Sequence, residues 1–415
     1  MRSLPASGIN LFQLIYILIR EYEQKSGQKA LNLSLGNPDT IPPKELRDLK
    51  SRFQLSTEFD LHTYAEDKNL NRFSEGLVSA FADFDLDAHP ELKAVPIAGI
   101  KTAGALMPLA CGLHLKDRSQ FKVVSNLPAY DVIGTWSQAY FAAKRLVWPL
   151  SSEDGMVLNT GALEAALSGS RADLIFVIRP GNPAARGASR DEWVKLIQHC
   201  IQNKTRLVND GAYTTLGGKN HIPLCQVAKD FPELEWIELF SVSKAFSDPG
   251  ARLGVALGSK DFIEDFILVK GNTDSGPVPS LMAAYGELFK DRAGTKKLLN
   301  DLYEMYQGRL NWLVPTLKEA GLEPACETNA GFFTLWKVPN RAFGVDLIEE
   351  AKMKGISQAE AFNRRVIDQT GIVGVHFTGP SGEPLIRYAV CSDVLDSKFQ
   401  ARMQEGLKMW KVGQT

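Results

Sequence analysis

The segment from Ser241 to Gly254 contains the residue types that a phosphate site and a covalent lysine require. It reads Ser-Val-Ser-Lys-Ala-Phe-Ser-Asp-Pro-Gly-Ala-Arg-Leu-Gly and follows a strongly apolar stretch. Hydroxyl groups and a bidentate cation bind phosphate, and Ser241, Ser243 and Arg252 offer both. A lysine that forms a Schiff base needs a partly desolvated site that lowers its pKa, and Lys244 has such a position. Taken alone, the segment is explained equally well by a polar turn with solvated cations.

A second polar segment, Asn209-Asp210-Gly211-Ala212-Tyr213, follows the apolar run Arg206-Leu207-Val208. A buried carboxylate can keep the nitrogen of a bound heterocyclic ring protonated, and Asp210 at the end of a strand is placed for this role. An Asx turn would explain the same residues without any chemistry.

Two further polar segments also follow predicted strands. Arg179-Pro180-Gly181-Asn182-Pro183-Ala184-Ala185 comes after residues 173–178, and Asn126-Leu127-Pro128-Ala129-Tyr130 comes after residues 121–125. Ligands of open parallel sheets bind beyond the carboxyl ends of the strands. The sequence therefore predicts that these segments meet at one edge of a sheet.

The elements that must position these segments alternate along the chain. From about residue 97, short apolar strands alternate with helices, which predicts a mostly parallel α/β sheet with helices on both faces. Ser189 and Glu192 have the spacing of a capping box, so a helix is expected to begin after Ser189. The predicted strands are 121–125, 145–148, 173–178, 206–209, 236–242 and 253–257. The predicted helices are 11–26, 101–115, 129–142, 160–168 and 190–203.

The pattern changes near residue 291. A long helical stretch at 295–320 is followed by strands at 332–337 and 385–391 and by a helix near 357–370, which is typical of a smaller α+β domain. We therefore expect a large domain formed by residues 45–290 and a small domain formed by residues 1–44 and 291–415.

The bulk properties of the chain argue against several classes of protein. Of its 415 residues 44% are hydrophobic and 23% charged, and the formal charge of −1 suggests neither nucleic acid nor an anionic membrane as a partner. No apolar run approaches the roughly 20 residues of a membrane span. The five cysteines lack the spacing of a metal clip or a redox motif, so we expect reduced thiols, a cytoplasmic location and no metal site.

The motifs occur in an order that resembles class I/II aminotransferases of the fold-type I family of pyridoxal-phosphate (PLP) enzymes, and the resemblance covers nearly the whole chain. It implies that Lys244 holds the PLP aldehyde as a Schiff base and that Asp210 keeps the ring nitrogen protonated. Tyr213 and Asn182 would both hydrogen-bond the phenolic oxygen of the cofactor. The implied fold is a mostly parallel central sheet with helices on both faces and a smaller α+β domain.

Other cofactor contacts are implied by the same resemblance. The segment Pro96-Ile97-Ala98-Gly99-Ile100-Lys101 ends a strand and opens a helix, and a helix N-terminus can bind phosphate. The family usually has Ser or Ala where Ile100 stands, so this residue would offer its backbone amide. Lys101 would face substrate or solvent, and the Gly-x-Lys form is most similar to LL-diaminopimelate aminotransferases. Tyr130 resembles the residue that stacks on the pyridine ring, or else it is an ordinary core residue at a helix start.

One loop departs from the family pattern. Asn182-Pro183 resembles the start of the family's Asn-Pro-Thr-Gly loop, but Ala184-Ala185 replace Thr-Gly. Because alanine tolerates a positive φ poorly, the turn of this loop is where a structural difference is expected.

Two segments resemble parts of the family that reach the neighbouring subunit. Tyr64 resembles the tyrosine that contacts the neighbour's phosphate, and residues 270–276 resemble a second crossing segment. Together they imply a homodimer with shared active sites. Alternatively, Tyr64 is an ordinary aromatic residue of a loop and residues 270–276 form an ordinary polar turn.

The substrate is expected near Gly36, Asn182 and Arg387. Gly36 begins a Gly-Asn-Pro segment that resembles the family's loop at the substrate mouth. Arg387 stands in an apolar strand, where a charge is costly unless it is paired. The resemblance implies that its partner is the substrate α-carboxylate, and an internal salt bridge is the alternative. Arg72, Arg179 and Arg186 are further candidates for an acidic substrate.

The function implied is transfer of an amino group between an L-amino acid and a 2-oxo acid by a ping-pong mechanism. A PLP-dependent C–S lyase or decarboxylase could use the same residues, although Arg387 favours reactions that retain the α-carboxylate. A regulatory PLP-binding domain is a third alternative. Such regulators carry a DNA-binding module ahead of the PLP domain, and the roughly 40 residues that precede the motifs here are too few for one.

Overall fold

The structure is a computed structural model that describes residues 11–413. It divides into two compact units, which we call the large and the small unit. The large unit comprises Asn37–Tyr306 and Glu327–Gly331, and the small unit comprises 11–36, Gln307–Cys326 and 332–413. These limits differ from the predicted domain boundaries at 44/45 and 290/291, which stay a prediction.

A seven-stranded sheet forms the centre of the large unit. Its strands are, in chain order, Leu92–Ile97, Lys122–Leu127, Lys144–Pro149, Leu174–Ile178, Arg206–Asp210, Trp236–Ser241 and Gly254–Ser259. Their order across the sheet is first, seventh, sixth, fifth, fourth, second and third. The strand Gly254–Ser259 is antiparallel to both neighbours, and the other neighbouring strands are parallel. The prediction of a mostly parallel sheet is therefore confirmed.

Apolar side chains and helices bury the sheet. The strand Leu174–Ile178 is buried along its whole length, as is usual for a parallel strand covered on both sides. Side chains of alternate strand residues join Met107, Phe262 and Phe266 of two helices in one core cluster. The helices of the large unit are Lys44–Gln54, Phe73–Ala82, Ile100–Ala110, Val132–Ala139, Thr160–Leu167, Arg190–Asn203, Cys225–Ala228, Val242–Ala245, Lys260–Lys270 and Pro279–Lys290.

The small unit has a three-stranded antiparallel sheet in the order Val375–Thr378, Pro384–Ala389, Phe333–Lys337. Two short strand pairs accompany it, Leu31–Asn32 with Ile372–Val373 and Arg341–Ala342 with Val345–Asp346. Its helices are Leu11–Ser26, Leu347–Lys354, Gln358–Thr370 and Ser397–Lys408. The limit between the two units falls inside the long helix Arg292–Glu319.

Several elements agree closely with the sequence prediction. The helices Leu11–Ser26 and Arg190–Asn203 have the predicted bounds, and Ser189 forms the predicted capping box with Glu192. The strand predicted at 236–242 ends instead at Ser241, because the short helix Val242–Ala245 begins there. Over the described residues 11–413, we find no helix that combines the length and the apolar character of a membrane span.

Candidate active site

Four predicted segments leave the central sheet at one edge. The parallel strands Leu174–Ile178, Arg206–Asp210 and Trp236–Ser241 lie side by side and end together, since Ile178 pairs with Asp210 and Asp210 with Leu239. Across the antiparallel strand, Ser241 and Ile97 both pair with Gly254. The segments after Ile97, Ile178, Asp210 and Ser241 therefore share this edge, which we call the carboxyl edge.

Lys244 lies on the single helical turn that follows the strand Trp236–Ser241. The Ser241 hydroxyl accepts a hydrogen bond from the Ser243 backbone N–H at 3.1 Å, which caps this turn. The two serine hydroxyls are 3.0 Å apart, and both side chains are buried. Lys244 is half-buried. A lysine in such a partly desolvated position can act as a nucleophile.

Gly99 and Arg252 fit against each other at the same edge. Gly99 precedes the helix Ile100–Ala110 and has φ +91°, a conformation that favours glycine. A Cβ at this position would lie 2.5 Å from an Arg252 Nη2 atom. Arg252 is exposed and donates one hydrogen bond to the Pro249 carbonyl at 3.1 Å. The bare backbone of Gly99, the start of the helix and the Arg252 guanidinium thus lie together. This combination can bind a phosphate group.

Asp210 is a buried carboxylate at the end of its strand. It is 7% exposed, and its Oδ1 atom accepts a hydrogen bond from the Ala212 backbone N–H at 3.0 Å. Burial raises the pKa of Asp210 to about 6, and the Ala212 hydrogen bond offsets part of this effect. The carboxylate can therefore bind a cationic ring nitrogen and would be stabilised by it.

Asn182, Tyr213 and Tyr130 also come together. The Asn182 side chain donates a hydrogen bond to the Tyr213 hydroxyl at 3.4 Å, and its backbone carbonyl accepts one from the Tyr130 N–H at 3.0 Å. Tyr213 is buried, whereas 46% of Tyr130 is exposed. The Lys101 Nζ atom lies 5.9 Å from the centroid of the Tyr130 ring.

The loop after Asn182 contains a left-handed residue in spite of its sequence. Ala185 has φ +49° and is fully buried. An L-residue in this conformation costs about 1–2 kcal/mol. Its carbonyl accepts hydrogen bonds from the Asn329 and Ala330 N–H groups at 3.0 and 3.1 Å, which stabilise the turn. Ala184-Ala185 therefore include a left-handed turn residue, although alanine tolerates a positive φ poorly.

Arg387 and Gly36 both contact Phe333 within the small unit. The Arg387 guanidinium lies 4.3 Å from the Phe333 ring centroid, and it donates a hydrogen bond to the Ser34 carbonyl at 2.7 Å. A Cβ on Gly36 would lie 2.9 Å from Phe333 Cζ, so the ring leaves room for glycine only. Arg387 is 7% exposed. The two residues predicted to bind substrate thus belong to one packed group.

Comparison with known proteins identifies the family. Residues 29–398 match the model of the family described as "Aminotransferase class I and II". The chain belongs to this aminotransferase family. Together with its relatives, the match shows that the protein is a PLP-dependent aminotransferase.

Curated relatives carry one name over most of their length. The LL-diaminopimelate aminotransferase of Syntrophobacter fumaroxidans is 26% identical over 328 residues, 79% of this chain and 80% of that protein. The enzyme of the same name from Halothermothrix orenii is 25% identical over 395 residues, 94% of this chain and 92% of that protein. Neither is named a lyase, a decarboxylase or a regulator.

Solved structures confirm the fold. The Thermus thermophilus aspartate aminotransferase double mutant has a TM-score of 0.74 at 17% identity and covers 99% of both chains. The aromatic aminotransferase of Pyrococcus horikoshii has a TM-score of 0.72 at 16% identity and covers 95% of this chain and 98% of its own. The aminotransferase therefore has the predicted fold-type I architecture.

The aminotransferase also has a buried cluster that the sequence did not predict. Asp248 stands between Lys244 and Arg252 in the sequence. Its carboxylate accepts hydrogen bonds from the Lys50 ammonium at 2.7 Å and from the Tyr285 hydroxyl at 2.8 Å. Asp248 and Tyr285 are buried. The cluster ties the segment to two helices of the large unit. Lys50 is 198 residues away in sequence, so no local pattern could have revealed it.

Three further predicted residues differ in their exposure and in their contacts. Tyr64 is 87% exposed. Arg72 forms ion pairs with Asp87 and Glu75, and Arg179 is fully buried with one Nη2 hydrogen bond to the Met156 carbonyl at 2.6 Å. Arg72 and Arg179 are therefore engaged within the protein, and the half-buried Arg186 is the remaining cation of the three.

The raised pKa of Asp210 predicts how the cofactor-free enzyme responds to pH. The pKa of an aspartate in an unfolded chain is about 3.9. Between pH 4 and 6 the folded protein therefore holds a proton that the unfolded chain has released. Stability should therefore fall as the pH rises through this range. Asp210→Asn should remove up to about 3 kcal/mol of this fall, measured by urea unfolding at pH 4 and pH 7.

The exposed Asp261→Asn variant is the control, and its pH dependence should follow the wild type. An Asp210→Asn protein with the same pH dependence as the wild type would show that this carboxyl is not perturbed.

Proposed function

We propose that the aminotransferase binds PLP at the carboxyl edge, with Lys244 as its covalent anchor. The observation that carries the proposal is the convergence at this edge of Lys244, the buried Asp210 and the group formed by Gly99 and Arg252. A lysine, an isolated carboxylate and an anion site are what the aldehyde, the ring nitrogen and the phosphate of PLP need. Each of the three lies on a different strand end.

The phosphate would be held by five residues of the edge. Ser241 and Ser243 supply hydroxyl groups, and Arg252 supplies a guanidinium. Gly99 lets the backbone approach, and Ile100 offers its N–H at the start of a helix. The support for this assignment is that a Cβ on Gly99 would collide with Arg252, so the anion would lie beside bare backbone.

The ring would be held from the other strand ends. PLP supplies an aldehyde that accepts the amino group and a ring that withdraws electrons. Asp210 keeps the ring nitrogen protonated, and it gains from this because burial alone disfavours its charge. Asn182 and Tyr213 donate hydrogen bonds to the phenolic oxygen, and Tyr130 covers the ring face.

Lys244 has a second role in this proposal. With PLP bound and the amino acid in place of Lys244 at the aldehyde, the Lys244 amine would serve as the base that takes the α-proton of the substrate and as the acid that gives it back. The cofactor would supply the acceptor for the amino group, and water would supply the carbonyl oxygen of the 2-oxo acid that leaves. A different 2-oxo acid reverses the sequence, which makes the mechanism ping-pong.

Half-reactions test amino transfer directly. An amino acid substrate alone should shift the cofactor absorbance to shorter wavelength and release one 2-oxo acid per active site, because the amino group stays on the enzyme. A 2-oxo acid alone should restore the spectrum. Steady release of ammonia, pyruvate or carbon dioxide without this stoichiometric shift would indicate a lyase or a decarboxylase.

We further propose that Arg387 binds the substrate α-carboxylate. It is a buried cation on a strand and donates one hydrogen bond to the Ser34 carbonyl. A guanidinium group can bind a carboxylate through two parallel hydrogen bonds. Phe333 lies against the guanidinium, with 4.3 Å between its ring centroid and Arg387 Cζ. A carboxylate held in this way presents the α-C–H bond in one orientation.

Replacement of Arg387 should affect substrate more than cofactor. Arg387→Ala should raise KM for amino acid and 2-oxo acid by about 100-fold, since a charge-assisted bidentate contact contributes roughly 3 kcal/mol. Arg387→Lys should recover only part of this loss, because an ammonium cannot form the two-pronged contact. The cofactor absorbance should stay unchanged in both variants. Steady-state kinetics and spectra measure these effects.

Arg309→Ala is the matched control. Arg309 is also a buried arginine of the small unit, and it donates to the Val390 and Cys391 carbonyls at 3.1 and 3.0 Å. Its loss should lower stability without a comparable rise in KM. Equal KM values for the wild type and Arg387→Ala would contradict the role of Arg387.

The enzyme is also proposed to be a homodimer with shared active sites. Large apolar side chains near the two predicted crossing segments are exposed: Leu55 by 80%, Phe59 by 78% and Leu268 by 70%. Apolar surface of this kind is often covered by a partner. Tyr64 and residues 270–276 would then reach the neighbour's site. Light scattering of the purified enzyme distinguishes this dimer from a monomer.

An amino donor with a second polar end is the proposed substrate class. Relatives named LL-diaminopimelate aminotransferase support it, as does the exposed cation Lys101 beside Tyr130. A cytoplasmic location is proposed on the scattered cysteines, four of which are buried.

A further inference from the structure

A buried polar network lies beneath the carboxyl edge, on the face of the sheet opposite Asp210. Asn209 directly precedes Asp210, so their side chains point to opposite faces. Asn209 pairs with Glu238 on the next strand, and both side chains are fully buried. The Asn209 Nδ2 atom donates to Glu238 Oε1 at 2.9 Å. Buried side chains of this polarity are rarely kept without specific partners.

The Asn209 amide adds one rung to the sheet. The last backbone pair between the strands Leu174–Ile178 and Arg206–Asp210 is Ile178 with Asp210. Beyond it, the Arg179 N–H donates to Asn209 Oδ1 at 2.9 Å, and the Arg179 carbonyl accepts from Asn209 Nδ2 at 3.0 Å. Arg179 is fully buried, so water could not replace these bonds, and each buried peptide group without a partner would cost about 1–3 kcal/mol.

Glu238 reinforces the orientation of the Asn209 amide that the Arg179 backbone groups set. Glu238 Oε1 accepts from the Leu224 N–H at 3.1 Å, and Oε2 accepts from the Cys225 N–H at 2.8 Å. The carboxyl is thereby fixed in place and offers Asn209 an acceptor. A flipped amide would set its oxygen against Glu238 and the Arg179 carbonyl and its NH₂ group against the Arg179 N–H, which are three mismatches.

This rung leads directly to the residues proposed to hold the cofactor ring. Arg179 begins the loop that carries Asn182. The Asn182 side chain contacts the Tyr213 hydroxyl at 3.4 Å, and its carbonyl accepts from the Tyr130 N–H at 3.0 Å. The height of the loop above the sheet would therefore decide where the Asn182 amide and Tyr130 contact the cofactor ring.

We propose that Asn209 and Glu238 are positioning residues that hold the Asn182 loop at the height required for hydrogen bonding to the phenolic oxygen of the cofactor. They touch neither cofactor nor substrate and act through Arg179 and Asn182. The inference rests on the proposed PLP site. It adds to that site a second set of residues, on the opposite face of the sheet.

The small unit offers a matched control for the loss of such an amide. Asn363 is also fully buried, and its amide also pairs with both backbone groups of one residue, Gly374, at 3.0 and 3.3 Å. A third contact joins its Nδ2 atom to His376 Nδ1 at 3.0 Å. Asn209→Ala and Asn363→Ala therefore remove equivalent buried hydrogen bonds, one set at the carboxyl edge and one set in the small unit.

The experiment titrates the absorbance of the PLP-loaded enzymes with pH and measures their thermal unfolding and PLP dissociation. Donors to the phenolic oxygen stabilise the deprotonated chromophore, so a displaced Asn182 should raise the midpoint pH. Asn209→Ala should raise it by about one pH unit and weaken PLP binding about tenfold. Asn363→Ala should lose comparable thermal stability while keeping the wild-type midpoint and PLP affinity.

A second variant keeps the test decisive if Asn209→Ala does not fold. Glu238→Met removes one of the two acceptors of the Asn209 amide nitrogen but leaves Asn209 and its Arg179 hydrogen bonds in place, so it should raise the midpoint in the same direction by a smaller amount. Midpoints in Asn209→Ala and Glu238→Met equal to those of the wild type and Asn363→Ala would overturn the inference alone. A wild-type enzyme that forms no lysine-bound chromophore would instead overturn the proposed PLP site.

Discussion

Parallel pairing of three neighbouring strands is the constraint on which the site depends. The register that pairs Ile178 with Asp210 and Asp210 with Leu239 makes the strands end together. A different kind of group follows each strand end: the Asn182 amide, the Asp210 carboxylate, and Lys244 with two serine hydroxyls. A shift of one residue in this register would turn every side chain of a strand to the other face. Asp210 would then lie beneath the sheet, where Asn209 now pairs with Glu238.

The edge is stabilised by contacts that differ from one strand to the next. Asp248 anchors the Lys244 segment through Lys50 and Tyr285, and the Ala185 carbonyl anchors the Asn182 loop through two backbone N–H groups. These contacts fix loops that leave the sheet and that would otherwise be mobile. Rigid loops are needed because catalytic groups must hold their geometry to within a fraction of an ångström.

Sequence reasoning was most successful where the chemistry is local. The order of Asp210, Tyr213 and Lys244 along the chain predicts their shared edge, because each follows an apolar run that becomes a strand. The buried partners Lys50 and Glu238 could not be found in this way. Lys50 is far from Asp248 in sequence, and Glu238 looks like an ordinary interruption of an apolar strand until its register with Asn209 is known. Pairing between distant segments is a property of the folded chain that a local pattern does not contain.

The covalent position of the cofactor tests the account most directly. The PLP-loaded enzyme, reduced with borohydride and digested, should yield one pyridoxyl-labelled peptide, with the label on Lys244. Lys244→Ala should fold and should form no such adduct, because it removes the amine on the helical turn that carries Ser243 and is capped by Ser241. A stoichiometric label on another lysine, or an adduct that persists in Lys244→Ala, would contradict the account.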